Sequence, residues 1–150
     1  MDASVFQNAQ SFTVSMVMRN YLGEFLAGKN LCLPMADSVF EAEALGVREA
    51  LSWIKDQQLH GTKVLVESDS LLTTKAIEGD KVICLEVGEV IEECKQALQN
   101  LSTVSVCFIQ KNAKRVAHEI ARIPCLVTSQ NVFTSPSTCL LEPLMFDLLS

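Results

Sequence analysis

Two acidic side chains occupy positions where a carboxylate needs an explanation. Asp69 follows the run VLVES, whose nearly continuous apolar character predicts a short buried strand. Ligand sites of α/β proteins lie at the carboxyl ends of such strands, although Asp69 could equally cap the helix predicted after it. Glu43 lies about 60° from the centre of an apolar helical stripe, where a carboxylate must be solvated, paired or bound to a cation. Each acid alone is explained at least as well by a structural role as by chemistry.

The helix that carries Glu43 is predicted to begin at Ser38. Ser38-Val-Phe-Glu41 fits the capping box, in which the serine and the glutamate satisfy backbone N–H groups reciprocally. Apolar residues then recur at spacings of four, three, four and three, which defines one helical face. The residues of this stripe are Phe40, Ala44, Val47, Leu51 and Ile54.

The remaining elements predict a mixed sheet covered by helices. Residues 12–19 and 24–32 are predicted strands joined by a turn at Asn20–Gly23, and DASVF before them could belong to another strand. After the Asp69 strand come a short helix ending at Gly79, a helix over 85–100, a strand over 103–109 and a last helix before Pro124. Strands that first follow one another and then alternate with helices are typical of an α/β fold with antiparallel and then parallel strands.

Composition limits the possible classes of protein. The 150 residues, with 49% hydrophobic and 20% charged side chains, predict one soluble globular domain. A net charge of −6 does not favour a nucleic-acid partner, because nucleic-acid binders usually carry a basic face. The six cysteines include no C-x-x-C pair, which favours buried, reduced thiols. We see no signal peptide and no apolar run near the ~18 residues of a membrane span, so we expect an intracellular protein, nuclear or cytoplasmic, without a membrane partner.

Four stretches in this order and spacing resemble the ribonuclease H family: DASVF, EAEALGVREAL, VLVESDSLLTTKAI and NAKRVAHEIAR. They are most similar to the ribonuclease H-like domain of plant non-LTR retroelement proteins. The resemblance runs from residue 2 to about residue 124, which predicts a domain over 1–124 and a partly irregular tail over 125–150. It implies a five-stranded mixed sheet flanked by helices. The end of the tail, CLLEPLMFDLL, is apolar enough to dock on the domain or on a partner.

The resemblance also implies a metal site. Asp2, Glu43 and Asp69 match the family's acids that hold two Mg²⁺ ions, with Mn²⁺ as a possible substitute, for hydrolysis of the RNA strand of an RNA–DNA hybrid. Two carboxylates ~4 Å apart repel each other by roughly 4 kcal/mol at an effective dielectric constant of 20. Three clustered acids therefore require a cation, and Mg²⁺ prefers such oxygen ligands.

Three departures from the family pattern bear on activity. A histidine that many members carry in the loop before the last helix has no counterpart in FIQKNAK. His118 matches the family's fourth acidic position, where it could act as a metal ligand or proton carrier or be a solvated histidine. We include it among the candidate catalytic residues. Only Met1 precedes Asp2, whereas a strand needs about 5–6 residues to be held in a sheet. An inactive descendant that binds nucleic acid or protein is therefore the alternative to an endonuclease.

One compact basic cluster could contact a phosphate backbone. Its candidate nucleic-acid-binding residues are Lys111, Asn112, Lys114 and Arg115. A short basic stretch is more often a solvated face, so the sequence predicts at most weak, salt-sensitive binding of a hybrid.

Overall fold

The computed structural model describes residues 11–59, 61–79, 85–110, 131–134 and 144–149. The predicted first strand at DASVF and the predicted last helix before Pro124 lie outside these ranges. The described elements, in chain order, are β1 (Ser11–Arg19), β2 (Phe25–Pro34), α1 (Val39–Asp56), β3 (Val64–Ser68), α2 (Leu71–Glu78), α3 (Leu85–Asn100), β4 (Val104–Phe108), β5 (Asn131–Thr134) and β6 (Leu144–Leu149).

The described strands form one mixed sheet in the order β4-β3-β6-β1-β2-β5. Strand β1 is antiparallel to β2 and β6, and β2 is antiparallel to β5. Strand β3 is parallel to both β4 and β6. The predicted α/β fold with antiparallel and parallel strands is confirmed. The described part of the sheet has six strands rather than the expected five, because the segment beyond residue 124 contributes β5 and β6. The domain boundary itself stays a prediction.

The turn between β1 and β2 follows the predicted chemistry. The side-chain oxygen of Asn20 accepts hydrogen bonds from the backbone N–H groups of Leu22 at 3.0 Å and Glu24 at 2.9 Å. Gly23 has a φ of +80°, a left-handed conformation that glycine adopts without steric cost. These contacts fix the reversal of the chain and hence the register of the hairpin.

Helix α1 begins as the capping box predicts, with one difference. The Ser38 hydroxyl accepts a hydrogen bond from the backbone N–H of Glu41 at 3.1 Å. The Glu41 carboxylate, however, accepts from the N–H of Asp37 at 2.6 Å instead of from that of Ser38. The predicted stripe is confirmed as the buried face, since its fully buried members are Ala44, Val47, Leu51 and Ile54.

The core lies between the sheet and helices α1, α2 and α3. Strand β1 contributes Met16 and β3 contributes Val66, both almost inaccessible to solvent, and Trp53 of α1 packs among them. Burial in α3 raises the pKa of the Cys94 thiol to about 12. Cys32 and Cys94 are free thiols, and the reduced state of the six cysteines stays a prediction. Within the ranges given above, the helices lack the combination of length and apolar character that crossing a bilayer requires.

Candidate active site

Glu43 is a buried carboxylate in the second turn of α1. Its residue is only 6% exposed, whereas its angular distance from the apolar stripe predicted a boundary position. Helix α1 packs on the sheet three residues further along, where a Cβ atom on Gly46 would lie at an ordinary contact distance of 3.6 Å from Cγ1 of Val14 in β1. A carboxylate buried at such a position requires hydrogen-bond donors or a cation nearby, because desolvation raises the free energy of its charged form.

Asp69 follows the last residue of β3 and is partly buried. The N-cap of α2 is Ser70, whose hydroxyl accepts a hydrogen bond from the N–H of Thr73 at 3.3 Å and lies 2.8 Å from the Thr73 hydroxyl. The hydroxyl of Ser68 in turn accepts from the N–H of Ser70 at 3.2 Å. The alternative interpretation of Asp69 as the helix cap is therefore wrong, since serine side chains fix this strand-to-helix junction.

The direction of α1 brings Glu43 toward the end of β3. Helix α1 ends at Asp56 and β3 begins at Val64, so the carboxyl end of the helix lies near the start of the strand. A helix that precedes its strand by so short a connection runs antiparallel to it. The first turns of α1, which include Glu43, consequently lie toward the carboxyl end of β3.

The register of the strands also indicates that Asp69 and the first half of α1 lie at the same end of the sheet. Glu67 of β3 is level with Asp147 of β6, and Leu149 of β6 is level with Ser15 of β1. Continuing this register by two residues brings Asp69 level with Leu149 and Ser15. This is the part of β1 on which the first half of α1 packs. Glu43 and Asp69 thus belong to elements that converge at one end of the sheet.

The other predicted site residues lie outside the described residues. These are Asp2, His118, Lys111, Asn112, Lys114 and Arg115. Of the three predicted metal ligands, the structure therefore describes Glu43 and Asp69, and the role of the complete set stays a prediction.

The described acids fit a divalent cation in their donor chemistry. Carboxylate oxygens are the hard ligands that Mg²⁺ prefers, and Glu43 and Asp69 supply them from a helix and a strand end. Among the described residues there is no cluster of three or more histidine, cysteine, aspartate or glutamate side chains that could hold a metal. A third protein ligand would have to come from elsewhere in the chain, as the resemblance predicts for Asp2.

The sequence did not lead us to predict a second buried acid near this site. Glu67 is 6% exposed, and its carboxylate accepts a hydrogen bond from the guanidinium of Arg19 at 2.7 Å. Glu67 interrupts the apolar run VLVES, and a charged residue inside a buried strand requires a partner. The sequence contained this signal, but nothing local identified Arg19 as the partner.

A mixed sheet packed against the described helices, with one acid directly after a central strand and another on the helix before it, is the arrangement expected of a ribonuclease H-like domain. Residues 1–123 match the model of a family described as reverse transcriptase-like, and the chain belongs to this family. The predicted relationship is thereby confirmed.

A solved structure supports the same fold. The crystal structure of RNase H1 from the halophilic archaeon Halobacterium salinarum NRC-1 superimposes with a TM-score of 0.60 and 17% sequence identity. The similarity covers 69% of this chain and 76% of the archaeal chain, and at this identity it shows the fold alone. No curated protein matches the chain.

Proposed function

We propose that this chain is a divalent-metal-dependent endonuclease that hydrolyses the RNA strand of RNA–DNA hybrids. One observation carries the proposal: a buried Glu43 and a strand-terminal Asp69 belong to elements that converge at one end of the sheet in a ribonuclease H-like domain. The proposed substrate follows from membership of the family together with this arrangement of acids.

Each site residue has a proposed role. Glu43, Asp69 and Asp2 hold Mg²⁺, or Mn²⁺ in its place, through their carboxylate oxygens, and the rigid strand and helix limit the movement of the first two. A bound metal of this kind lowers the pKa of a water molecule and stabilises the charge on a phosphodiester. His118 carries a proton to or from the reacting groups, for which the ordinary pKa of histidine is well suited.

Binding of the hybrid is proposed to be weak and strongly dependent on salt. The net charge of −6 repels a polyanion, so the basic residues Lys111, Lys114 and Arg115, together with Asn112, have to supply the attraction locally. Each neutralised phosphate contributes a slope of about −0.7 to −0.9 in a plot of log affinity against log salt concentration. With three cationic side chains, we expect a slope no steeper than about −3.

The test is cleavage of a labelled RNA–DNA hybrid in Mg²⁺ or Mn²⁺ by the wild-type chain and by Asp69→Asn and Glu43→Gln. We expect each substitution to lower the rate by at least about 100-fold, as is usual when a group that stabilises developing charge is lost. Asp56→Asn is the matched control, because Asp56 is an exposed acid at the far end of α1. Its rate should equal that of the wild type.

Two results would contradict the proposal. One is unchanged cleavage by Asp69→Asn. The other is the lack of metal-dependent cleavage by a wild-type chain whose circular dichroism and cooperative unfolding show that it is folded. The second result would favour the alternative function, an inactive ribonuclease H-like domain that binds nucleic acid or a protein partner.

The similarity of the four sequence stretches to plant retroelement domains supports a further proposal on origin and location. We propose that the chain derives from such an element and acts inside the cell. Imaging of a fluorescent fusion would test the location, and a secreted fusion would refute it.

A further inference from the structure

The exposed apolar side chains of the described residues are concentrated at one edge of the sheet. Strands β2, β3 and β4 all end there, because β3 is parallel to β4 and β6, and β1 is antiparallel to both β6 and β2. Helices α1 and α2 begin at this carboxyl edge, since α1 follows β2 and α2 follows β3. Five of the seven large apolar residues that are exposed in the described ranges lie here: Met35, Val39, Leu71, Leu72 and Phe108. Single exposed apolar residues are ordinary, whereas their concentration at one edge indicates a binding surface.

Three of these residues lie close to Asp69. Leu71 and Leu72 follow it by two and three residues and are 46% and 48% exposed. Phe108 is 38% exposed and ends β4 level with Ser68, the residue before Asp69. Consecutive Cα atoms are about 3.8 Å apart and neighbouring strands about 4.8 Å apart, so all three Cα atoms lie within about 11 Å of that of Asp69. None of the three side chains is part of the buried core.

A nucleic acid that reaches Asp69 has to cover these three side chains. Successive phosphates of one strand are about 3.4 Å apart along the axis of a duplex, so a distance of about 11 Å corresponds to roughly three nucleotides. The net charge of −6 and the carboxylates of Glu43 and Asp69 repel a polyanion at this edge. Contacts that require no positive charge are therefore the ones that this part of the surface can supply.

The chemistry of the three side chains fits the minor groove of an RNA–DNA hybrid. A hybrid has A-form geometry, and the wide, shallow minor groove of this form exposes sugars and base edges. Proteins that bind nucleic acids in the minor groove frequently place Phe and Leu side chains there. Such contacts bury apolar surface, whereas the salt dependence of binding comes from the neutralised phosphates.

We propose that Leu71, Leu72 and Phe108 form an apolar contact surface that holds the sugars and base edges of the hybrid's minor groove beside Asp69. The inference rests on the proposed function, because it takes the hybrid as the ligand of this edge. The three side chains are positioning residues, since they bind neighbouring nucleotides and touch no reacting atom. They supply the part of the affinity that salt does not weaken.

Binding of a fluorescently labelled hybrid by the full-length chain, over a range of salt concentrations, tests this surface. All proteins carry Asp69→Asn, which prevents cleavage in Mg²⁺. One variant adds Leu71→Ala and Leu72→Ala, which keep good helix formers in α2, and another adds Phe108→Ala. We expect each variant to raise Kd about three- to tenfold at every salt concentration, because a half-exposed apolar side chain no longer contacts the hybrid. The slope of log affinity against log salt concentration should stay unchanged.

The matched control adds Tyr21→Ala and Leu22→Ala to the same Asp69→Asn chain. Tyr21 and Leu22 are 49% and 64% exposed and lie in the turn between β1 and β2, at the opposite edge of the sheet. The control should bind with the Kd of its parent, as should a variant with Leu71→Met and Leu72→Met, which keeps the apolar character. Circular dichroism and urea denaturation check that every variant is folded.

Cleavage kinetics in chains that retain Asp69 provide a second measurement. Loss of these contacts should raise KM and change kcat by less than about twofold, because the contacts are equally strong in the bound substrate and in the transition state. A lower kcat at unchanged KM would overturn the proposal, since the side chains would then act on the metal site. Equal Kd values for the alanine variants and the control would also overturn it.

The contact surface and the endonuclease can fail separately. Cleavage by the wild type, together with unchanged binding in the alanine variants, would refute the contact surface and retain the endonuclease. Binding that depends on the three side chains, without cleavage by the folded wild type, would support the contact surface and refute the endonuclease. A wild-type dimer in sedimentation that Leu71→Ala with Leu72→Ala dissociates would assign the edge to a second copy of the chain and overturn the proposal.

Discussion

The two halves of the sheet are assembled by different means. In the hairpin of β1 and β2, the chain reverses over Asn20–Glu24 and pairs with the segment that immediately follows. In the parallel pair of β3 and β4, helices α2 and α3 separate the two strands in sequence. An antiparallel pair needs only a short turn, whereas a parallel pair needs a long crossover. Local side-chain chemistry therefore determines the first half, while the second half and the junction at β6 depend on the packing of distant segments.

The largest effects should come from core truncations, one in each half. Met16 of β1 is 1% exposed and Val66 of β3 is fully buried. Met16→Ala should lower the free energy of unfolding by about 2–5 kcal/mol. Val66→Ala should lower it by about 2 kcal/mol, because two methyl groups contribute ~0.8 kcal/mol each and a small cavity adds to this loss. Because α1 and β6 contact both halves, we expect each variant to unfold in a single transition.

Urea denaturation followed by two probes measures this cooperativity. The single tryptophan, Trp53, reports on α1 through its fluorescence, and far-ultraviolet circular dichroism reports on the whole chain. Different midpoints for the two probes in Met16→Ala would mean that the hairpin unfolds separately from the helices. The two halves would then be independent units.

A smaller effect should come from the ion pair that joins the halves. Arg19→Met removes the guanidinium from Glu67, whose side chain is only 8% exposed, and should cost about 1–3 kcal/mol of unfolding free energy. Arg48→Met is the matched control, because Arg48 pairs with Glu49 and the half-exposed Glu93. Because these pairs are more exposed than that of Arg19 and Glu67, they should contribute less, about 0–1 kcal/mol.

A double variant distinguishes the energy of the ion pair from the separate contributions of Arg19 and Glu67 to stability. If Arg19 and Glu67 stabilise the chain mainly through each other, Arg19→Met combined with Glu67→Gln should cost less than the sum of the two single substitutions. Chemical denaturation at low and high salt measures all of these values. Strictly additive losses would show that the ion pair does not couple β1 to β3.

The hairpin and the helices could be predicted from the sequence because their signals are local. Asn20 and Gly23 have the side-chain chemistry of a turn, and Ser38 is followed at the correct spacing by Glu41. Strand β6 could not be placed in the same way. Its apolar residues indicated that the segment would dock, but its register with β1 and β3 exists only once those strands have been brought together. The predicted number of strands was wrong for this reason.

The candidate site was also only partly predictable. The helical and strand patterns located Glu43 and Asp69 on the correct elements, since both patterns depend on a few neighbouring residues. The burial of Glu43 depends on how the rest of the chain packs around α1, which is a property of the tertiary structure. Aspartate and serine are similarly good N-cap residues, so the sequence could not decide between Asp69 and Ser70.

The smallest effects on stability should distinguish Ser70, the helix cap after β3, from Asp69, the proposed metal ligand beside it. Ser70→Ala removes the N-cap of α2 and should lower the free energy of unfolding by about 1 kcal/mol. Asp69→Asn preserves shape at a partly buried position that does not cap the helix, and should change it by less than about 0.5 kcal/mol. Hybrid cleavage should show the opposite order, with Ser70→Ala active and Asp69→Asn inactive. A loss of stability in Asp69→Asn as large as that in Ser70→Ala would instead indicate that the carboxylate holds the strand-to-helix junction, which would give Asp69 a structural explanation that requires no metal.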